Sequence, residues 1–562
     1  MPLPYAPLIP SPPYESTMKL GWRVGANPAI PLATPVDWSL AATGERSWSF
    51  HLLSLDLIDP LLVQYSQTGD VAALELAIQI GLDFWRTRDT RDEEADWYDM
   101  ATGLRAWRLT YALEAAREEK MPIGRRRLLH QCVTEHEKRL RPDETFTAGS
   151  NHGFFQAAGQ MAIGDSIFRT DPETRSVALS RLQMILETHF SSEGVHKEHS
   201  PDYHYFLHRG FEALRVRGLM PGRAAARRLD QIARTLTWFL TPEGRVANFG
   251  DSDNRKLKVE EARILPTPTA GAKVFPEAGY AILRAGRGPR AGYLAQTLGY
   301  HSRVHKQADD LSVIWSARGK KVLIDAGRLR YGKRPDKGSA LEKRGYRYAD
   351  PRRVFCEGAS AHNIPEIEGS RDARQSAPYG SALLASAEHD GLLATLGRVS
   401  RKPHQHTRLM IGDGLNWLVL IDGFFGAVLP PKTRQWLHLG PEWTLSADGA
   451  GFRAVSDQDV VRIDPLNAGE AVGPHLAVQP DYQGWWSPRA NVFEPAPAVA
   501  FARRGRLAAV SLAFADFGPT MASMDLDGRL EGSVTLTLGD GRRVAVRLEG
   551  GRLELDVKGT QA

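Results

Sequence analysis

The hydrophobic period changes once along this 562-residue chain, and that change limits the folds open to it. From Trp48 to about Leu265, apolar residues recur every three to four positions, the spacing of one helix face. Leu74, Ile78, Leu82 and Trp85 form one stripe, and Leu104, Trp107, Tyr111 and Ala115 another. Leu179, Leu182, Leu186 and His189 continue the series, as do Leu229, Ile232, Leu236 and Phe239. The segment LPTPTAGAKVFP interrupts it with three prolines and a glycine. Beyond it the period is two. Val534, Leu536 and Leu538 lead to Asp540-Gly541; Val544, Val546 and Leu548 return to Gly550-Gly551, and Leu553, Leu555 and Val557 follow. Asp-Gly and Gly-Gly between alternating runs are hairpin signals. NWLVLIDGFFG, at 416–426, reads as a more deeply buried strand pair.

The expected architecture is α+β and multidomain: an N-terminal (α/α) toroid at 46–265, a linker at 266–276 and an antiparallel β-sandwich at 277–562. Residues 1–45, rich in proline and aromatics, are expected to form an extended arm lying on the body. The net charge of +5 is small for this length, and no basic run is interleaved with aromatics, so nucleic acid is not an expected partner. No apolar run approaches ~18 residues, so no membrane span is expected. The two cysteines, Cys132 and Cys356, have no metal-ligand spacing and make no disulfide framework. Prolines interrupt the first 16 residues where a secretory leader needs an apolar helix, so the expected location is cytoplasmic, or periplasmic or secreted if a leader has been removed. The choice between monomer and homo-oligomer stays open.

Several polar clusters carry residue types suited to chemistry. Asp96-Trp97-Tyr98-Asp99, with Arg105 two helical turns on, places aromatic faces beside charges, a combination that suits sugar rings. Ser150-Asn151-His152 precedes an apolar helix: Ser150 or Asn151 serves as a cap, or the amide and imidazole meet an anion. Glu198-His199-Ser200-Pro201-Asp202-Tyr203-His204-Tyr205 crowds ionisable groups around a proline turn. A phenol there can take and give a proton. Asn248–Asn254 reads first as a tight turn. His301 and His305 stand beside Asp309 and Asp310, ahead of a hairpin (Leu311 to Trp315, Lys321 to Ile324) that delivers Asp325. Asp325 with His362 and His305 is a metal-site candidate.

These residues resemble the heparinase II/III-like polysaccharide lyases, which include related alginate and oligoalginate lyases. The strings that carry the resemblance are NPAIPLATPVDWS, RSWSFHLLSLD, SNHGFFQAAGQ, EHSPDYHYF, NFGDSDN, HKQADDLSVIW, VLIDAG and SAHNI, in this order. The resemblance implies a lyase (EC 4.2.2 type) that cleaves an acidic, uronate-containing glycan by β-elimination. It gives Asn151 and His152 the role of neutralising the uronate carboxylate, Tyr203 that of proton donor, and His305 that of base or carboxylate partner. Trp97, Tyr98, Arg105, Glu198, His204, Tyr205 and His301 are expected to line the substrate, with His204 and Tyr205 competing for the place of Tyr203. Family members commonly hold a metal through a second histidine, an aspartate and a later histidine; the matching positions are Gln307, Asp325 and His362. Glutamine is a poorer zinc ligand than imidazole, so the implied structural cation, zinc or calcium, is weakened here. The alternatives are a glycoside hydrolase, using two of Asp99, Glu198 and Asp251, and a non-catalytic glycan-binding protein.

Overall fold

The computed structural model describes residues 3–559 except 25–26, 45, 168–171, 221, 259–260, 263–264, 267–268, 371–375 and 516. It divides into two compact units, Met1–Phe190 with Tyr205–Ile232, and Ser191–His204 with Ala233–Ala562.

The first unit is helical. Asp70 caps the helix Val71–Arg86 by accepting from the amides of Ala72 and Ala73, and Leu74, Ile78 and Leu82 are buried on one face as the period requires. The helix Asp99–Glu118 is buried on every side, so its sequence shows no polar stripe. It lies beside Val71–Arg86, Ile123–Leu140 and Asn151–Ser166. Two glycines bring it against the last of these. A Cβ on Gly103 would lie 2.2 Å from the carbonyl oxygen of Phe155, and one on Gly159 2.3 Å from that of Gly103. Backbone meets backbone there, and the two helices run in the same direction, so their first turns are neighbours.

The segment before residue 46 is not simply an extended arm. It contains the helix Tyr14–Leu20, and Tyr5, Leu8, Ile9 and Trp22 are core residues. The reason lies in its aromatic and carbonyl groups, which find buried partners. Tyr5 donates its hydroxyl to Asp59, Trp107 donates to the carbonyl of Ala6, and Tyr111 to that of Leu3. Asp59 is also paired with Arg108 at 2.6 Å. Tyr5→Phe is expected to cost about 1–2 kcal/mol in urea unfolding, since one donor to a buried carboxylate is lost while the arginine remains.

The second unit is built on antiparallel sheets. An eight-stranded sheet is central, with Trp417–Phe425 in its interior between His404–Gly412 and Leu507–Phe514. Leu418 and Leu420 face one core, shared with a five-stranded sheet through Leu294, Val313 and Trp315. Trp417, Val419 and Ile421 face the other, shared with the C-terminal four-stranded sheet through Val534, Leu536, Val544 and Val546. A strand buried on both faces reads as an unbroken apolar run. NWLVLIDGFFG is therefore one strand and not a pair. Its Asp-Gly makes no turn because the Asp422 carboxylate is held inside by Arg408 (2.7 and 2.9 Å), His406 (2.6 Å) and Gln435 (2.8 Å).

The hairpin expected near 311–324 is present as Val313–Ala317 paired with Lys320–Leu323. Within the expected linker, Gly271–Phe275 is a strand paired with Tyr280–Ala285, while 267–268 lie outside the described residues. Residues 233–265, helical by period, group with the sheets. No helix among the described residues is long and apolar enough to cross a membrane.

Candidate active site

In the second unit, segments distant in sequence converge on one imidazole. His305 sits in the left-handed backbone region (φ 56°), as does His199 (φ 60°). The loop carrying Asp251 approaches both, and only glycine fits at 250: a Cβ there would stand 2.6 Å from the His199 carbonyl oxygen and 2.9 Å from that of His305. His305 Nδ1 lies 3.1 Å from Asp251 Oδ2, and its Nε2 lies 3.6 Å from Glu198 Oε2. The ring of Tyr203 stacks on it at 3.7 Å, 21° between planes. Tyr203 stands in the first turn of the helix Pro201–Val216. Its hydroxyl is 3.0 Å from that of Tyr331, which in turn lies 3.1 Å from His305 Nδ1 and 3.2 Å from Asp251 Oδ2. Arg353 donates to Asp251 Oδ1 at 2.6 Å, and the Gln307 amide at 3.0 Å.

Charge follows from these contacts. Burial raises the Asp251 carboxyl, but Arg353, His305 and Gln307 outweigh it and hold the group far below the usual carboxylate range. Burial lowers His305 below its ordinary value, with Asp251 opposing, so a neutral imidazole is favoured. Burial raises the Tyr203 phenol, against the pull of Arg328 and the Tyr331 hydrogen bond, and keeps it protonated.

Burial pushes Glu198 up to about 8, against the pull of Arg347. The folded state thus keeps a proton that the unfolded chain releases near pH ~4.3. Its effect on stability is least costly below that pH, and stability declines as pH rises towards about 8. Glu198→Gln removes this titration. The fall in melting temperature between pH 5 and pH 8.5 is expected to be smaller in the variant than in the parent.

The first unit holds a second set. Ser150 caps the helix Asn151–Ser166 by accepting from the amide of His152. Asn151 is buried at that start. His152 Nδ1 is 3.1 Å from both carboxylate oxygens of Asp99. The Tyr98 ring, partly exposed, stands edge-on to His152 at 5.7 Å.

Four of the expected substrate contacts are buried. Arg105 is 1% exposed and committed to His136 (3.1 Å), the Leu53 carbonyl (2.7 Å) and the Asp96 carbonyl. Successive helix positions point ~100° apart. Tyr203 is thus half-buried beside His305, whereas His204 (1% exposed) and Tyr205 (2%) are interior. Glu198 is also buried and meets His305 rather than solvent. Trp97 is half-buried under Arg139, 4.8 Å from its ring, and against His136. His301 stacks on His199 and bonds to the Ala278 carbonyl at 3.2 Å. Asp309 and Asp310 are neutralised by the buried Lys306 at 2.5 and 3.2 Å.

Gln307, Asp325 and His362 are fully buried. His362 Nδ1 pairs with Asp325 Oδ2 at 2.9 Å. Gln307 Oε1, Asp325 Oδ1 and His362 Nε2 find no hydrogen-bond partner among the described residues. Carboxylate and amide oxygens and an imidazole nitrogen are atoms of the kinds that a cation takes as ligands. One imidazole with two oxygen donors is poorer in nitrogen than zinc favours and suits a harder ion better.

Tyr331 and Arg353 escaped the sequence reading. Tyr331 falls six residues after Asp325 in RLRY, with no pattern to mark it; Arg353 lies in the short helix Pro351–Glu357. In sequence, Asp251 reads as turn chemistry and as a candidate hydrolase carboxylate, not as the partner of His305.

Residues 267–486 match the family model described as Heparinase II/III-like, C-terminal. No curated protein matches the chain. Among solved structures, the heparan sulfate lyase HepC from Pedobacter heparinus is 14% identical, with 97% of this chain and 88% of that chain covered and a TM-score of 0.66. Heparinase III is 15% identical, with 93% and 85% covered and a TM-score of 0.70. At these identities the likeness is one of fold, and it spans helical and sheet regions alike. The chain is thus similar to heparinase II/III-like proteins: residues 267–486 match the C-terminal domain of that family, and the fold resembles that of heparinase III.

Proposed function

We propose that this chain is a polysaccharide lyase that cleaves a uronic-acid glycan of the glycosaminoglycan class by β-elimination. One observation carries the reading: a protonated phenol, Tyr203, stacked on an imidazole, His305, that burial keeps neutral and Asp251 orients. The family of the C-terminal domain and the named activities of the structural neighbours support it.

Elimination needs a weakly acidic C5 proton to leave. Asn151 and His152 are the groups we assign to the uronate carboxylate, whose charge must be offset before that proton becomes acidic. With Nδ1–H directed to Asp251, His305 takes the C5 proton at Nε2. The C5–H electron pair becomes the C4=C5 double bond, the C4–O bond breaks, and the leaving oxygen takes the proton of Tyr203. Tyr331 bridges Tyr203 and His305 Nδ1, so the Nδ1 proton of the imidazolium can return to the phenolate through one hydroxyl, and the ring regains its Nδ1–H form by exchanging the captured Nε2 proton with water. A divalent cation held by Gln307, Asp325 and His362 would offset buried negative charge and hold their loops; none of these proton transfers uses it.

A hydrolase needs a carboxylic acid and a second carboxylate free to act. Asp251 is committed to Arg353, Gln307 and His305, and Asp99 to His152, which leaves Glu198 without a partner for that role. The test offers the protein heparan sulfate, hyaluronan, chondroitin and alginate while following the ultraviolet absorbance of the unsaturated uronate. Growth of absorbance is expected on at least one glycosaminoglycan. New reducing ends without absorbance would identify a hydrolase, and binding without either a glycan-binding protein.

A further inference from the structure

Beyond Tyr331 the chain makes an excursion with a charge of its own. Residues 333–349 carry six basic side chains and two acidic ones, a net charge of +4 in a chain whose whole net charge is +5. The excursion is closed at its base, where the Ala349 amide donates to the Lys333 carbonyl at 2.9 Å. Beside that closure Tyr346 is buried, and the Tyr348 ring stacks on Tyr331 at 5.2 Å, 25° between planes. The base is therefore tied to the hydroxyl that meets Tyr203 and His305. Arg347, next to Tyr348, stands close enough for its charge to act on Glu198, whose Oε2 lies 3.6 Å from His305 Nε2.

Both acids are engaged within the loop. Asp336 pairs with Lys333 at 3.4 Å. Glu342 accepts from the Gly338 amide, and Ser339 accepts from the Glu342 amide at 3.3 Å, a capping pair that starts the short helix Ala340–Lys343. All six basic side chains are exposed. No carboxylate among the described residues forms an ion pair with Arg334, Lys337 or Arg347. Cations gathered on one loop without such partners make a positive field beside the reacting groups, and a polyanion answers it.

We propose that the loop 333–349 is a docking surface for sulfate groups of the glycan, so that the substrate is a sulfated glycosaminoglycan and not an unsulfated uronate chain. The proposal rests on the lyase reading and deepens it. The carboxylate of the cleaved sugar is a single charge, and Asn151 and His152 are already assigned to it. Exposed charges more than ~8 Å apart are largely screened at physiological ionic strength, so several cations on one loop act together only on closely spaced anions. Sulfate esters supply that density. A guanidinium meets two oxygens of one such group at once, as it does those of a phosphate.

The discriminating experiment compares Arg334→Gln with Lys337→Gln in one protein against the charge-keeping exchange Arg334→Lys with Lys337→Arg. Each is assayed on heparan sulfate and chondroitin sulfate, and on the desulfated, N-acetylated form of each. On the sulfated chain that the parent cleaves, the neutralised variant is expected to lose roughly 10-fold in kcat/KM, chiefly through KM, and the exchange to stay within a few fold of the parent. On the desulfated chain the parent should be slower, and the neutralised variant should match it within a few fold. Added salt should lower kcat/KM more steeply in the parent than in the neutralised variant. Equal losses on sulfated and desulfated chains, no loss on either, or a parent that prefers the desulfated chain would overturn the proposal. Titration of a labelled sulfated oligosaccharide against the Tyr203→Phe protein, with and without the two glutamines, gives a readout apart from turnover. Neutralisation should weaken that binding several-fold, and a single-stranded oligodeoxynucleotide of equal charge should bind less tightly than the oligosaccharide. Binding that is unaffected, or an oligodeoxynucleotide that binds as tightly, overturns the docking surface. A parent that turns over no glycan while loop-dependent binding of the sulfated chain holds would instead count against the lyase reading and leave the docking surface standing.

Discussion

Tyr203→Phe is expected to lower kcat by roughly 10²-fold or more, with KM changed little. The substitution removes only the hydroxyl. The ring keeps its stack on His305, so substrate should still bind, but the leaving oxygen has no proton to take. Tyr331→Phe offers the contrast. It leaves the Tyr203 proton in place for the first elimination and removes the hydroxyl that links it to His305 Nδ1. A pre-steady-state burst of unsaturated product followed by slow turnover is expected for Tyr331→Phe, and no burst for Tyr203→Phe. Near-normal turnover in Tyr203→Phe would reject Tyr203 as the acid, and bursts in neither variant would reject the return path.

Asp251→Ala is expected to be the most destabilising change at the site, about 3–5 kcal/mol by urea unfolding at pH 7. It strips Arg353 of a 2.6 Å partner in a buried position and leaves His305, Gln307 and Tyr331 without their shared acceptor. Asp251→Asn keeps the shape and isolates the charge. Because the folded-state carboxyl lies far below its ordinary value, its contribution is fully present above the unfolded carboxylate pKa of ~3.9 and is lost as pH falls below that. Stability of the parent should therefore fall more steeply than that of Asp251→Asn between pH 4 and pH 2.5. Parallel curves would show that Arg353 does not depend on this charge.

The residues differ in how far their roles can be read from their neighbours in sequence. Asn151 and His152 stand in a recognisable string at a helix start, and their local setting, a serine cap before an apolar run, is the one the sequence implies. The sequence offers 203, 204 and 205 together; the helix sets Tyr203 beside His305 and His204 and Tyr205 in the interior, because each step of ~100° turns the next side chain away. Asp422 misleads. Asp-Gly between apolar runs is a turn signal in sequence, yet its carboxylate is satisfied by Arg408, His406 and Gln435 inside a central strand, so no turn forms.

The amino-acid sequence by itself determined where helices give way to strands, which faces of them are apolar, and which short strings carry imidazole, amide and phenol groups. Period and composition are local properties, and local geometry follows from them. Only the tertiary structure decided that Tyr331, Asp251 and Arg353 serve His305 and Tyr203, and that Asp99 pairs with His152. Those partners lie 26 to 128 residues apart in sequence, and it is the closing of distant loops on one another that brings them within hydrogen-bond reach. A carboxylate acquires its charge, and an imidazole its tautomer, from whatever folding sets beside it.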